Sequence, residues 1–234
     1  MEIDYGWLLF SLFIIINIIA AFTNHIDDTD ETYGYWEPLH YFLYERGMQT
    51  WEYSTDYAIR PYSYLIPFYL FGESLKMLLT GLSKSAIFYG IRCLLGIFNA
   101  LITCQFTKQI GYTFGHSISR YLTVLLLCSP GVLYVSTSLL PSALCSAYIM
   151  LTIISWLQDK YAVAIVFGSI GVLGCGWPFV GLLLLPIGIH MLTTVYSNRK
   201  AVADIIAFIL IGIIIASIIS LPTIIIDSFF YGKM

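Results

Sequence analysis

Hydrophobic positions in this chain fall into long unbroken blocks, not into an alternating or one-sided pattern. Tyr5–Asn24 runs twenty residues without a charged side chain, enough for one helical crossing of an apolar layer about 30 Å thick at 1.5 Å per residue. The block lacks the basic start and small-residue cleavage site of a secretory leader, so it reads as an anchor that stays. Beyond Arg92 the charge-free blocks are Cys93–Thr107, Tyr121–Gln158, Tyr161–Asn198 and Ile205–Ile226. The middle two are 38 residues each, about 57 Å if helical, so each must fold back as two helices. Pro130 and Pro141 bracket one bend, and Gly174-Cys175-Gly176-Trp177-Pro178 marks the other. The pattern predicts an all-α polytopic membrane protein with spans near 5–23, 87–107, 121–138, 142–157, 161–176, 180–196 and 204–224.

The stretch 59–83 is aromatic and partly apolar but carries Arg60, Pro61, Pro67, Glu73 and Lys76, so its pattern alone does not decide whether it crosses. Loop charge does. If it stays on one side and the N-terminus is cytosolic, then Lys108, Arg120, Lys160, Arg199 and Lys200 all fall on the cytosolic side, and the short outer bends carry no Lys or Arg. The expectation is therefore that 59–83 lies on or dips into the outer face, as part of one long outer segment from about 24 to 85 within a single transmembrane domain, 1–234.

Composition agrees with lipid as the solvent. The chain is 59% hydrophobic and 11% charged, against about 25% charged in soluble domains, and a net charge of −3 offers no basic field for nucleic acid. Cys93, Cys104, Cys128, Cys145 and Cys175 all sit in apolar stretches, with no CxxC pair or His at zinc-ligand spacing, and read as small buried apolar residues.

Chemistry concentrates in the outer segment. Eight of the fourteen acidic residues lie in 24–58, accompanied by Arg46 alone among Lys and Arg and interleaved with nine aromatic residues. Interfacial belts use Tyr and Trp, whereas sugars are bound by aromatic faces together with carboxylates that accept hydroxyl protons; the mixture makes a carbohydrate site plausible. Asp28 suits the N-cap of a short helix with Glu31 as its capping-box partner. Pro38 suits the first turn of a second helix running to about Tyr44 and disfavours helical geometry at Glu37, which predicts a kink across which Asp30 and Glu37 would meet only through the bend. His40 and Tyr44 share a face of that second helix. Arg60 and Arg92 lie at apolar boundaries, where a guanidinium either snorkels or meets an anion such as phosphate. Asp227 ends the last span and reads either as a site residue or as a solvated helix terminus.

The stretches Asp28-Thr29-Asp30-Glu31-Thr32-Tyr33-Gly34-Tyr35-Trp36-Glu37-Pro38-Leu39-His40-Tyr41 and Gly47-Met48-Gln49-Thr50-Trp51-Glu52-Tyr53 resemble the dolichyl-phosphate-mannose-dependent mannosyltransferases, glycosyltransferase family 22, and among them the alpha-1,2-linking members. Tyr57-Ala58-Ile59-Arg60, Arg92-Cys93-Leu94-Leu95, Leu140-Pro141-Ser142, Gly176-Trp177-Pro178-Phe179, Ile226-Asp227-Ser228 and Tyr231-Gly232-Lys233 extend the likeness over the whole chain. Pro61 stands where the family pattern has Ser.

The resemblance implies a seven-span module of the GT-C type in the endoplasmic reticulum membrane, whose first luminal loop bears the chemistry. The expected reaction is inverting transfer of mannose from dolichyl phosphate mannose to a dolichyl-diphosphate oligosaccharide in N-glycan precursor assembly. It implies Asp30 as general base with Glu31 as second choice or orienting partner. Glu37, His40, Trp51, Glu52 and Tyr53 would shape the sugar site, and Arg60 or Arg92 would hold the departing phosphate. Neither nucleotide nor metal is demanded, since the leaving group is a lipid phosphate. Family members continue past the last motif, so the acceptor-binding part is expected to lie outside these residues. A silent fragment or accessory subunit is the other reading.

Overall fold

The computed structural model describes residues 5–79, 81–175, 178–199 and 202–232, and among them there are helices and turns but no strand. Helix α1 (Tyr5–Thr23) lies along the 31-residue α5 (Lys84–Phe114). Ser83 starts α5 by accepting a hydrogen bond from the Ala86 N–H, and Gly115, at φ 104°, turns the chain into α6 (His116–Cys128) in a conformation open to glycine and strained for other residues.

The span expected at 121–138 is two helices. Ser129 is extended (φ −83°, ψ 111°) and Pro130 has no N–H, so α6 stops there and α7 (Pro130–Val135) begins afresh. The reversal lies at 136–140, and Pro141 opens α8 (Pro141–Leu157). Helix α9 (Tyr161–Ser169) continues into a π-helical turn at Ile170–Gly174. Gly176 and Trp177 of the second expected bend lie outside the described residues, as do Lys200 and Lys233. The chain closes with α10 (Gly181–Arg199) and α11 (Val202–Tyr231).

Among the described residues three helices, Lys84–Phe114, Pro178–Val195 and Ala203–Tyr231, are long and apolar enough to cross a membrane, and Leu8–Thr23, Pro141–Leu157 and Tyr161–Gly174 are shorter apolar helices. On α10 and α11 the side chains of Leu182, Leu185, Ile213, Ile218 and Leu221 point outward, uncovered by protein. An all-round apolar helix left uncovered requires lipid around it.

The bundle has two chemically distinct ends. At one, the Gln158 side-chain amide donates to Gln109 Oε1 (2.9 Å) and Lys160 donates to Gln158, near the ends of the helices that carry Lys108 and Arg120. At the other, residues 24–65 fold onto the start of α5, the 136–140 turn and the end of α11. Helix α4 (Ile66–Leu78), with 13 residues, is about 20 Å long, short of a crossing. Its Phe68 joins Tyr35, Trp36, Leu39, Leu43, Tyr53 and Ile91 in the main core. The aromatic residues of the polar segment are thus mostly the floor on which it sits. Of the cysteines, Cys104, Cys145 and Cys175 are buried as expected; Cys93 is half-buried and Cys128 is exposed, on the apolar outer face of α6.

Candidate active site

The first loop opens with Asp28, whose side chain accepts from the Asp30 N–H (2.8 Å) and caps α2 (Thr29–Glu31). The capping-box role read for Glu31 is not observed. Glu31 is 2% exposed, and its Oε1 accepts from the Trp36 indole (2.9 Å) and from the Leu139 backbone N–H (2.9 Å). It ties the loop to the turn before α8.

The kink expected at Glu37 is also absent. Glu37 is helical (φ −66°, ψ −44°), and a π turn at Thr32–Trp36 runs directly into α3 (Glu37–Tyr44). The Glu37 N–H reaches back five residues to the Thr32 carbonyl, a register that accommodates the donor missing at Pro38. The extra residue in that turn rotates Asp30 and Glu37 roughly 100° out of the shared face that seven residues of regular helix would give them. The structure does not bring them together. Glu37 accepts from the Met48 N–H (3.1 Å) and so serves the turn after α3, whereas His40 meets Lys84 at the start of α5 (3.1 Å) and packs against the Tyr44 ring.

What the structure does bring together is Asp30, Glu52 and Arg60. Arg60 donates through Nε and Nη2 to the two oxygens of Glu52 (3.0 and 3.1 Å), and Nη2 also pairs with Asp30 Oδ1 (3.2 Å). The guanidinium lies over the Tyr35 ring, 5.0 Å from its centroid. Burial pulls the Arg60 pKa downward, but the Glu52 hydrogen bonds and other favourable contacts outweigh it and the net shift is upward. Asp30 differs from its partners in exposure: its side chain is 66% exposed, against 11% for Arg60 and 20% for Glu52. It is an outward-facing carboxylate braced by a guanidinium that Glu52 holds from below.

The Trp51-Glu52-Tyr53 turn divides its three side chains. Trp51 points out and meets Tyr57 edge to face (5.0 Å), Glu52 turns to Arg60, and Tyr53 turns into the core, where its hydroxyl donates to the Gly34 carbonyl (2.6 Å). Burial drives the Tyr53 phenol well above its ordinary pKa, so it remains a neutral donor. Gly34 also makes room for Arg60, since a Cβ there would stand 2.9 Å from Nη1. Gly34→Ala is expected to push the guanidinium off its carboxylates at a cost of about 1–3 kcal/mol, read as a lower thermal midpoint in detergent; an unchanged midpoint would show that the site tolerates the displacement.

The end of α11 completes the site. Asp227 accepts from the Ser63 N–H (2.8 Å) and hydroxyl (3.1 Å), and the Tyr231 hydroxyl donates to the Arg60 carbonyl (2.6 Å). Asp227 is therefore engaged, not a solvated terminus. Between α11 and residues 58–61 lies a cleft of about 350 Å³ bordered by Arg60, Thr223, Asp227 and Tyr231. Tyr35, Gly34, Ser63 and Tyr231 had no assigned role; only the i,i+4 spacing of Asp227 and Tyr231 at the end of the last apolar block could have signalled a shared face.

Neither arginine offers a phosphate an open guanidinium. Arg60 is taken by two carboxylates; Arg92, 5% exposed, donates to the Asn24 carbonyl (3.0 Å) and to Thr137 (3.3 Å) and packs on Phe88. Arg92 is a buried brace between the first loop and the 136–140 turn. Among the described residues no three of His, Cys, Asp and Glu gather as ligands for a metal ion.

Fold and site together define a helical membrane protein that carries a braced, outward-facing carboxylate on a polar segment at one end of its bundle. The chain belongs to the Alg9-like mannosyltransferase family, whose model matches residues 8–234. It is 32% identical over 229 residues to the alpha-1,2-mannosyltransferase ALG9 of Mus musculus, covering 98% of this chain and 36% of that protein. It is 34% identical to the Drosophila melanogaster Alg9 over 96% of this chain and 35% of that one, and 36% identical to the Schizosaccharomyces pombe alg9 over 80% and 32%. The chain thus spans about a third of the length of these curated relatives. No solved structure matches it.

Proposed function

We propose that this chain carries the sugar-transfer end of a dolichyl-phosphate-mannose-dependent alpha-1,2-mannosyltransferase acting on a lipid-linked oligosaccharide at the luminal face of the endoplasmic reticulum. The observation that carries the reading is the exposed Asp30 carboxylate, oriented by Arg60 and Glu52. One Asp30 oxygen pairs with Arg60, and the other takes the proton of the acceptor mannose 2-hydroxyl as its oxygen attacks C1 of the donor sugar. The C1–phosphate bond breaks on the opposite face, so configuration inverts and the lipid phosphate leaves. Base catalysis of this kind contributes about 10²- to 10⁴-fold.

In this reading Glu31 and Arg92 shape the loop from beneath and do not meet substrate, and Arg60 acts through its carboxylates. Trp51 and Tyr57 form an exposed aromatic face beside the site suited to stacking on a sugar ring. The segregation of Lys108, Arg120 and Lys160 from the acidic loop supports a luminal loop and a seven-span arrangement by the positive-inside rule, with the break at Ser129–Pro130 inside one span. Helices anchor the lipid tails while the loop does the chemistry at the surface.

The test is expression of this chain in cells lacking their alpha-1,2-mannosyltransferase, followed by analysis of lipid-linked glycans. Elongation of the accumulated mannose-short intermediate is expected. Absence of elongation at normal abundance and correct localisation would overturn the assignment of transfer to these residues.

A further inference from the structure

Helix α4 crosses α5 close to the polar end of the bundle, where two glycines let the helices approach. A Cβ on Gly72 would stand 2.8 Å from the Leu43 side chain and 3.5 Å from that of Ile87, and one on Gly90 would stand 3.0 Å from the Leu75 side chain. From Lys84, the first residue of α5, to Ile87 and Gly90 is about 4.5–9 Å along the helix axis. Helix α5 is long and apolar enough to span. With Lys84 at headgroup level, α4 therefore lies across it at the depth of about 5–10 Å to which in-plane helices bury their apolar face. Past the crossing, no protein covers the end of α4 among the described residues: Met77 is 81% exposed, Leu78 79% and Leu79 54%.

Cations stand beside this uncovered tip. Lys76 Nζ and Lys84 Nζ each lie 4.5 Å from the Tyr44 ring centroid. They differ in what neutralises them. Lys76 pairs with Glu73 (2.6 Å) and donates to the Leu43 carbonyl. Lys84 is exposed and has no carboxylate partner among the described residues; its hydrogen bond there is to His40 Nε2 (3.1 Å). Because an ammonium only donates, Nε2 accepts and the imidazole is neutral, with its proton on Nδ1. The Glu37 carboxylate borders Gly47 together with His40 Nδ1, across the ring from Lys84, and is occupied by the Met48 N–H. The end of α4 thus presents three apolar side chains to the hydrocarbon and one unneutralised cation at the headgroups. That order matches a phospholipid, acyl chain inward and phosphate outward. A zwitterionic headgroup would bring its own ammonium up to two lysines, whereas an anionic one would not, so charge complementarity selects the anionic lipid.

We propose that the end of α4 is a docking site for an anionic glycerophospholipid of the surrounding leaflet, with the lipid phosphate on Lys84 Nζ and an acyl chain along Met77 and Leu78. His40 carries the contact into α3, so the bound lipid sets the height of the first loop above the bilayer. The site rests on the membrane setting of the helices and not on the mannosyl-transfer reading.

The chain would be reconstituted in phosphatidylcholine bilayers containing a trace of phosphatidylglycerol or of phosphatidylcholine, each with the same diazirine-bearing acyl chain, and the labelled peptides identified by mass spectrometry. Residues 213–221 of α11, apolar and uncovered, serve as the reference for lipid contact without a cation. Relative to them, the peptide carrying Met77, Leu78 and Leu79 should be labelled about fivefold more by the phosphatidylglycerol probe than by the phosphatidylcholine probe, the factor one lysine contributes near an anionic surface. Lys84→Gln should bring that ratio to about one, and Lys84→Arg should retain it, which separates loss of charge from loss of structure. Met77→Gln combined with Leu78→Gln should lower labelling of the peptide by both probes. Equal labelling by the two probes in the wild type, or a ratio indifferent to Lys84→Gln, would overturn the proposal. So would label at 213–221 with none at Met77, Leu78 and Leu79, since a protein surface would then be covering the tip.

Discussion

Asp30→Asn is expected to reduce mannosyl transfer by about 10²- to 10⁴-fold while leaving the protein folded. The amide keeps the shape of the side chain but does not take a proton from an attacking hydroxyl. Folding should hold because the bidentate Arg60–Glu52 pair is independent of Asp30, and because the side chain replaced is two-thirds exposed, where ion pairs contribute little. The measurement is transfer from dolichyl phosphate mannose by membranes containing wild type or variant, with the thermal midpoint of each as control. Glu52→Gln is the informative companion: it keeps an acceptor for Arg60 but loses the charge, so a smaller reduction is expected, through poorer orientation of Asp30. Full activity of Asp30→Asn at normal abundance would remove Asp30 as the base and turn attention to the cleft beside Asp227.

The largest effect on folding should come from Glu31→Leu. The Glu31 carboxylate is the acceptor for two buried donors, the Trp36 indole and the Leu139 N–H, and a leucine of similar volume would leave both unpaired. At about 1–3 kcal/mol for each orphaned group, the loss should reach about 2–6 kcal/mol, a large fraction of a typical domain's stability. It would be read as a shift in the denaturation midpoint in detergent and as earlier proteolysis of residues 24–58. Glu31→Gln retains an acceptor oxygen and should lose about 1 kcal/mol. If leucine were tolerated as well as glutamine, the loop would have to be held mainly by Arg92 and Asn24, whose bonds to the Asn24 carbonyl, Thr137 and the Leu133 carbonyl form the second connection between the same two segments.

These two carboxylates show how adjacent residues of one motif acquire opposite tasks. Asp30 and Glu31 are next to each other on α2, so helical rotation alone sends one outward and the other inward. The sequence motif left Glu31 as an alternative base or an orienting partner, and its inward direction was decided by the Trp36 indole and the Leu139 backbone that folding brings to it. The same holds for Glu37. Seven residues from Asp30 suggests either a shared face or a kink, and the π turn, stabilised by the packing of Tyr35 and Trp36 into the core, produced neither.

The chain's own pattern was sufficient for what depends on length, polarity and local chemistry: the apolar blocks, the fold-back of the two 38-residue runs, Asp28 as a helix start, and the gathering of acids and rings into one segment. These follow from lipid as solvent and from hydrogen bonds that span only a few residues. Tertiary structure decided what depends on residues far apart. Arg60 pairs with carboxylates because folding brings Asp30 and Glu52 to it, Asp227 binds Ser63 across 164 positions, and Arg92 bonds to Asn24 and Thr137. A buried charge or donor takes the nearest partner the packing supplies, and that partner is written nowhere in its own neighbourhood of the sequence.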